Sequence, residues 1–80
     1  MNIEEINEPQ IQTMRDNLKF LRGQKGWSVR ELSRLSKISP AVLKRIAAGK
    51  NFGMPCLLAL CRFHRIAPHE IFRPIQPEPR

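Results

Sequence analysis

Lys44 and Arg45 are adjacent cations in a segment whose apolar residues Ile38, Leu43 and Ile46 point the other way. Cations on the outer side of a helix can reach guanine O6 and N7, and the neighbouring Ala41 and Val42 can touch a thymine methyl. Taken alone, the pair is equally what a solvated helix face carries. Ser28, Arg30, Lys37, Ser39, Lys50 and Asn51 stand at helix starts and loops around it. Hydroxyls, cations and free backbone amides at such places hold phosphate. Arg34 is a further cation that either adds a contact or stays solvated.

Cys56, Cys61, His64 and His69 are the other residues with chemistry to offer. Their spacing, C-x4-C-x2-H-x4-H, fits no zinc-finger pattern, so no metal is expected. Cys61 falls in an apolar stripe, where a small buried thiol is ordinary. His64 is expected at the edge of the core with a hydrogen bond. No Ser/His/Asp set, paired carboxylates or glycine-rich phosphate loop is present, so neither catalysis nor a cofactor is expected.

The elements that must position these residues read as helices. Ile11, Met14, Leu18 and Leu21 recur at helical spacing, and Gly26 is the expected stop. Ser28 and Glu31 form a capping box, with Trp27 and Leu32 placed as a hydrophobic staple. The spacing predicts a second helix over Val29 to Ser36 with Val29, Leu32 and Leu35 inward. Lys37-Ile38-Ser39-Pro40 interrupts it. Ser39 caps a third helix, Pro40 fits its first turn, and Gly49 ends it. A loop follows through Lys50-Asn51-Phe52-Gly53. Pro55 opens a fourth helix with Leu57, Leu60, Cys61 and His64 on one stripe. Pro68 opens a last short turn, and Ile66, Ile71 and Phe72 close the core. No internal repeat and no strand alternation is visible.

Composition narrows the partners. The chain has 80 residues, 14 Lys and Arg against 7 Asp and Glu, for a net charge of +7. A chain this short buries only about 60–65% of its unfolded surface, too little for a large catalytic cleft. Residues 1–10 carry Glu4, Glu5 and Glu8 and no base, whereas the 13 bases of residues 11–73 face only Asp16, Glu31 and Glu70. Such a field attracts a polyanion, nucleic acid first and an acidic protein or anionic membrane second. The expected division is an acidic arm over 1–10, a folded domain over 11–72 and a proline-rich tail over 73–80. No apolar run long enough for a membrane span and no secretory signal is seen, so a cytoplasmic chain with reduced thiols is expected.

A short capped helix, a tight turn and a second helix with a polar outer face make a helix-turn-helix. From Leu18-Lys19-Phe20-Leu21-Arg22 to Lys25-Gly26-Trp27-Ser28 the chain resembles the first helix and turn of the lambda-repressor-like, or XRE-type, DNA-binding domain. Arg30-Glu31-Leu32-Ser33 is similar to the start of its second helix. Ile38-Ser39, Leu43-Lys44-Arg45-Ile46 and Gly49-Lys50 resemble its recognition helix and the loop beyond. Leu60-Cys61-Arg62, Ile66-Ala67-Pro68 and Glu70-Ile71-Phe72 resemble its last two helices. The resemblance covers about residues 14–72 without a gap. It implies a compact all-α fold of five helices.

Four positions depart from the family pattern. Val29 stands where Gln is usual, and Lys37 replaces a turn Gly, which puts an L-residue where a positive φ is needed. Ala47 replaces a Glu that pairs with the residue matching Arg22. His64 replaces a core Leu.

The resemblance implies a sequence-specific transcription regulator of phage or bacterial type, a repressor binding a palindromic double-stranded operator as a weak homodimer, with no small-molecule ligand. Phe20, Leu58 and Phe63 fall outside the inward stripes, and Leu58 and Phe63 are the expected dimer contact. Either a second subunit or the chain's own tails would cover them. The competing reading is a module of the same fold that binds another regulator through Val29, Pro40, Ala41 and Val42. Steep salt dependence of duplex binding separates the two.

Overall fold

The computed structural model describes residues 8–75. The elements are α1 (Glu8–Lys25), α2 (Val29–Ser36), α3 (Pro40–Ala48), α4 (Met54–Phe63) and a 3-10 turn at Pro68–Glu70. The described residues hold no strand. Residues 1–7 of the expected arm and 76–80 of the expected tail lie outside the described residues. Helix α1 starts at Glu8, with Pro9 in its first turn, where a missing amide is harmless. The expected fifth helix is only the three-residue 3-10 turn. Pro68 opens it and Pro74 disfavours a helical Arg73, so no α-helix fits between them.

The core takes Met14 and Leu18 from α1, Leu32 from α2, Leu43 and Ile46 from α3, Leu57, Leu60 and Cys61 from α4, and Phe52 and Ile71 from the connections. Helix α3 packs on both α1 and α2. Arg15 ties α1 to the end of α3, donating from Nε to the Ala47 carbonyl at 2.7 Å. A cation suits that end, because unpaired carbonyls give a helix C-terminus partial negative charge.

Each α-helix is followed within two residues by a left-handed residue. These are Gly26 (φ 69), Lys37 (φ 66), Gly49 (φ 72) and Arg65 (φ 58). After α1, Trp27 N–H donates to Arg22 O at 3.3 Å; after α3, Lys50 N–H donates to Arg45 O at 3.1 Å; after α4, Ile66 N–H donates to Cys61 O at 3.0 Å. These six-to-one bonds are the Schellman closure, which satisfies carbonyls left over at a helix end. Gly26 and Gly49 are the expected stops. Arg65 gives no such signal in the sequence.

Two expected inward positions differ. Leu35 is 41% exposed. The sheltered arc of α2 runs through Val29, Leu32, Ser33 and Ser36. At about 100° per residue, Leu35 falls some 60° beyond that arc. It lines a groove with Leu21, Trp27, Phe63 and His64. Trp27 lies against Phe63, with ring centroids 5.4 Å apart.

His64 is half-buried as expected, but its buried Nε2 has no hydrogen-bond partner among the described residues. Its ring meets the Phe63 ring in a T-shaped contact at 5.3 Å and the Trp27 ring at 6.3 Å. Aromatic neighbours offer the ring nitrogen no acceptor. Burial lowers the His64 pKa below its ordinary value of 6.5. The unfolded chain therefore binds this proton more readily than the folded one. The associated stability is complete above the unfolded pKa and is lost as pH falls through the folded one. The melting temperature should accordingly drop from about pH 7.5 to 5, and His64→Leu should flatten that slope. An unchanged slope in the variant would place the titration elsewhere.

Candidate nucleic-acid interface

The α2–turn–α3 unit is built from serines. Ser28 Oγ caps α2, accepting from Glu31 N–H at 3.1 Å. The Glu31 carboxylate makes no return bond among the described residues, so the expected capping box is one-sided. Ser39 Oγ caps α3, accepting from Val42 N–H at 3.3 Å. In the turn, Ser33 Oγ donates to Ile38 O at 2.6 Å, and Ile38 N–H donates to Ser36 Oγ at 3.3 Å. Ser33 and Ser36 are turn-forming residues that the sequence reading missed. Their signal is two hydroxyls flanking a break in helical spacing.

Helix α3 turns Leu43 and Ile46 into the core, and Val42 is half-buried against it. Projected at about 100° per residue, Ala41 and Ala48 form the opposite apex, with Lys44 and Arg45 on either side. All four are exposed. Small residues at the apex let a helix approach a groove floor while longer cations reach sideways. Val42 therefore offers only part of its surface outward. Ala48 is an apex residue that the sequence reading did not single out.

The expected phosphate residues stand at the ends of α2 and α3 and in the loop after α3. Ser28, Arg30, Lys37, Ser39, Lys50 and Asn51 are all exposed. Ser28 and Ser39 spend an oxygen lone pair on their caps and keep the hydroxyl proton to donate. Lys50 and Asn51 follow the left-handed Gly49, and Asn51 itself takes φ 55. The ion pair found among the described residues is His69 with Glu70 at 3.9 Å, both exposed. Among the described residues, none of the cations around α3 is within ion-pair distance of a carboxylate.

A family model for the Cro/C1-type HTH DNA-binding domain matches residues 17–77. The chain belongs to the Cro/C1-type helix-turn-helix family. No curated protein and no solved structure matches it. The Cro/C1-type domain is a DNA-binding class, not a catalytic one, so the chain carries the fold of a DNA-binding regulator.

Against the Cro/C1-type pattern, the four departures have visible consequences. Lys37 does take the left-handed conformation, at φ 66 and ψ 18. Val29 packs on the core edge where Gln is usual. Arg22 is half-buried and, with Ala47 in place of Glu, has no carboxylate partner among the described residues. His64 sits in the aromatic groove.

Phe63 and Leu58 do not share a surface. Five residues apart on α4, they diverge by about 140°. Phe63 faces Trp27, and Leu58, 36% exposed, lines a separate groove with Arg62, Ile66 and Pro68. Cys56 and Cys61 are free thiols, and burial pushes Cys61 up to about 11. Among the described residues no three His, Cys, Asp or Glu side chains come together to hold a metal. No described helix is long and apolar enough to cross a membrane.

Proposed function

We propose that the chain is a sequence-specific double-stranded DNA-binding transcription regulator, a small phage or bacterial repressor acting in the cytoplasm. In this reading α3 lies in the major groove, with Lys44 and Arg45 reading base edges. Arg30, Lys37 and Lys50 hold phosphates, helped by the Ser28 and Ser39 hydroxyls and Asn51. The observation that carries it is the capped α2–α3 pair, whose small outer apex is flanked by unneutralised cations.

Base readers and phosphate clamps fail differently. Arg45→Ala should cost about 1–3 kcal/mol on the preferred duplex and flatten discrimination at one base pair per half-site. Lys50→Ala should weaken all duplexes nearly equally and lower the salt slope by about one. Lys37→Gly separates stability from binding. It relieves a left-handed L-residue, raising stability by about 0.5–1 kcal/mol, yet removes a phosphate contact. Titrations on selected and scrambled duplexes at several salt concentrations read the binding of all three, and denaturant unfolding reads the stability of Lys37→Gly. If Arg45→Ala binds both duplexes as the parent does, α3 is not the reading element and a protein partner becomes the better reading.

A palindromic operator calls for two copies, and protein symmetry mirrors operator symmetry. The exposed Leu58 beside Ile66 and Pro68 supports a weak homodimer through that groove. Phe63, the other expected contact, is engaged by Trp27 in a different groove and lies outside this surface. Sedimentation at rising concentration should show association that Leu58→Glu reduces. A monomer at every concentration, bound singly to an asymmetric site, would reject the dimer.

A further inference from the structure

Between α1, α2 and α3 lies a cavity of about 280 Å³. Its floor is apolar, formed by Val29, Leu32, Leu43 and Ile46 among others. Its rim carries Arg15, Lys19, Arg22 and Lys44 against the single carboxylate of Asp16. Arg15 is occupied, donating from Nε to Ala47 O at 2.7 Å and from NH1 to Gln12 Oε1 at 3.1 Å. Asp16 is occupied too, accepting from Gln12 Nε2 at 2.8 Å. The side chains of Lys19, Arg22 and Lys44 make no hydrogen bond or ion pair among the described residues, although Arg22 is half-buried. Three unpaired cations over an apolar floor form an amphipathic receptor. Half-burial makes an anion worth more to Arg22 than it would be in open solvent.

We propose that this cavity binds a small organic anion, a carboxylate or phosphate monoester on a short apolar body, and that its occupation competes with DNA for Lys44. The size is just below that of pockets for drug-sized ligands, so the body has only a few carbon atoms. The carboxylate or phosphate lies among Lys19, Arg22 and Lys44, and the apolar part rests on Val29 and Leu43. Lys44 is shared with the outer side of α3, so a bound anion draws it from the groove. The competition rests on the DNA-binding reading above; the binding does not.

The family resemblance implies no small-molecule ligand, and the cavity forms only where the helices meet. Its test is a titration of the whole chain without DNA. Benzoate, butyrate and inorganic phosphate serve as probes at constant ionic strength, with benzamide as the uncharged control. At least one anion should give saturable amide shifts confined to the cavity. At ten times its Kd it should raise the melting temperature by roughly 6–11 °C. Benzamide should do neither. Ala47→Glu places a carboxylate at the cavity wall and should abolish the response; Arg22→Gln should weaken binding about tenfold or more. Absence of binding by every anion, or equal binding by the parent and both variants, would overturn the inference.

Duplex titrations with and without saturating anion form the second arm. The anion should weaken duplex binding by the parent several-fold and that by Ala47→Glu not at all. A chain that binds duplex but no small anion assigns these cations to DNA phosphate and overturns the ligand. A chain that binds the anion but no duplex overturns the proposed function and leaves the ligand standing.

Discussion

Asn17→Asp should destabilise the fold by about 3–5 kcal/mol, more than Asn17→Ala, although it changes one amide to a carboxylate of the same shape. Asn17 is 1% exposed, the buried polar side chain of the described core. Its Nδ2 donates to Ile71 O at 2.8 Å and to Arg73 O at 2.6 Å. Its Oδ1 accepts from Ile75 N–H at 3.3 Å. One amide thus satisfies three backbone groups of the C-terminal segment and fastens it to α1. A buried group left without its partner costs about 1–3 kcal/mol. Alanine leaves these groups unpaired. Aspartate does the same to the two carbonyls and also sets a negative charge against their oxygens, which desolvation makes worse. Since small domains are stable by about 5–15 kcal/mol in all, the loss is a large fraction of the total. Denaturant unfolding measures it. If Asn17→Asp is milder than Asn17→Ala, the carbonyl contacts are not what holds the segment.

Gly49→Ala should be the second severe change, at about 2–5 kcal/mol. Gly49 ends α3 at φ 72. An L-residue there costs about 1–2 kcal/mol from backbone sterics. Space is also lacking, since a Cβ would lie 2.6 Å from Ile11 Cγ2 and 3.1 Å from Arg15 Cδ. Overpacking of this kind costs about 1–3 kcal/mol. Ile11 Cγ2 can move only by turning χ1, which a β-branched residue in a helix holds strongly to one rotamer. Gly26→Ala is the internal control. Its φ of 69 is similar, but nothing lies within 4 Å of the added atom, so only the backbone cost applies. Equal melting temperatures for the two variants would show that the α1–α3 approach is looser than described. Gly49 also precedes Lys50 and Asn51, so a shift there should disturb phosphate contacts as well as stability.

Most helix limits around the interface are legible along the chain because each follows from a few neighbouring residues. Ser28 and Ser39 cap because a hydroxyl reaches an amide three residues on. Gly26 and Gly49 stop helices because glycine takes positive φ freely. Lys44 and Arg45 face outward because Leu43 and Ile46 beside them do not. The strain at Lys37 is legible through the family resemblance, which puts a turn glycine where this chain has Lys37. Arg65 adopts the same conformation without any compositional sign, at the point where the chain leaves α4 and Ile66 packs against the core. Leu35 has the right spacing for the core and the wrong angle, because the sheltered arc of α2 is centred between Leu32 and Ser33 and includes Ser36.

By itself the sequence determined an all-helical chain, the capped α2–α3 pair, the excess of positive charge and the two cations on the outer side of α3. These rest on periodicity, capping and composition, whose physics acts within about one helical turn or over the whole charge distribution. Only the tertiary structure decided what Asn17 and Arg15 do, that Leu58 and Phe63 face different grooves, and that Lys44 shares a cavity with Lys19 and Arg22. Arg15 meets Ala47 across 32 positions, and Asn17 meets Ile71 across 54. Contacts at such separations depend on how whole helices pack, and a polar residue on an apolar stripe reveals its partner only once the distant segment is in place.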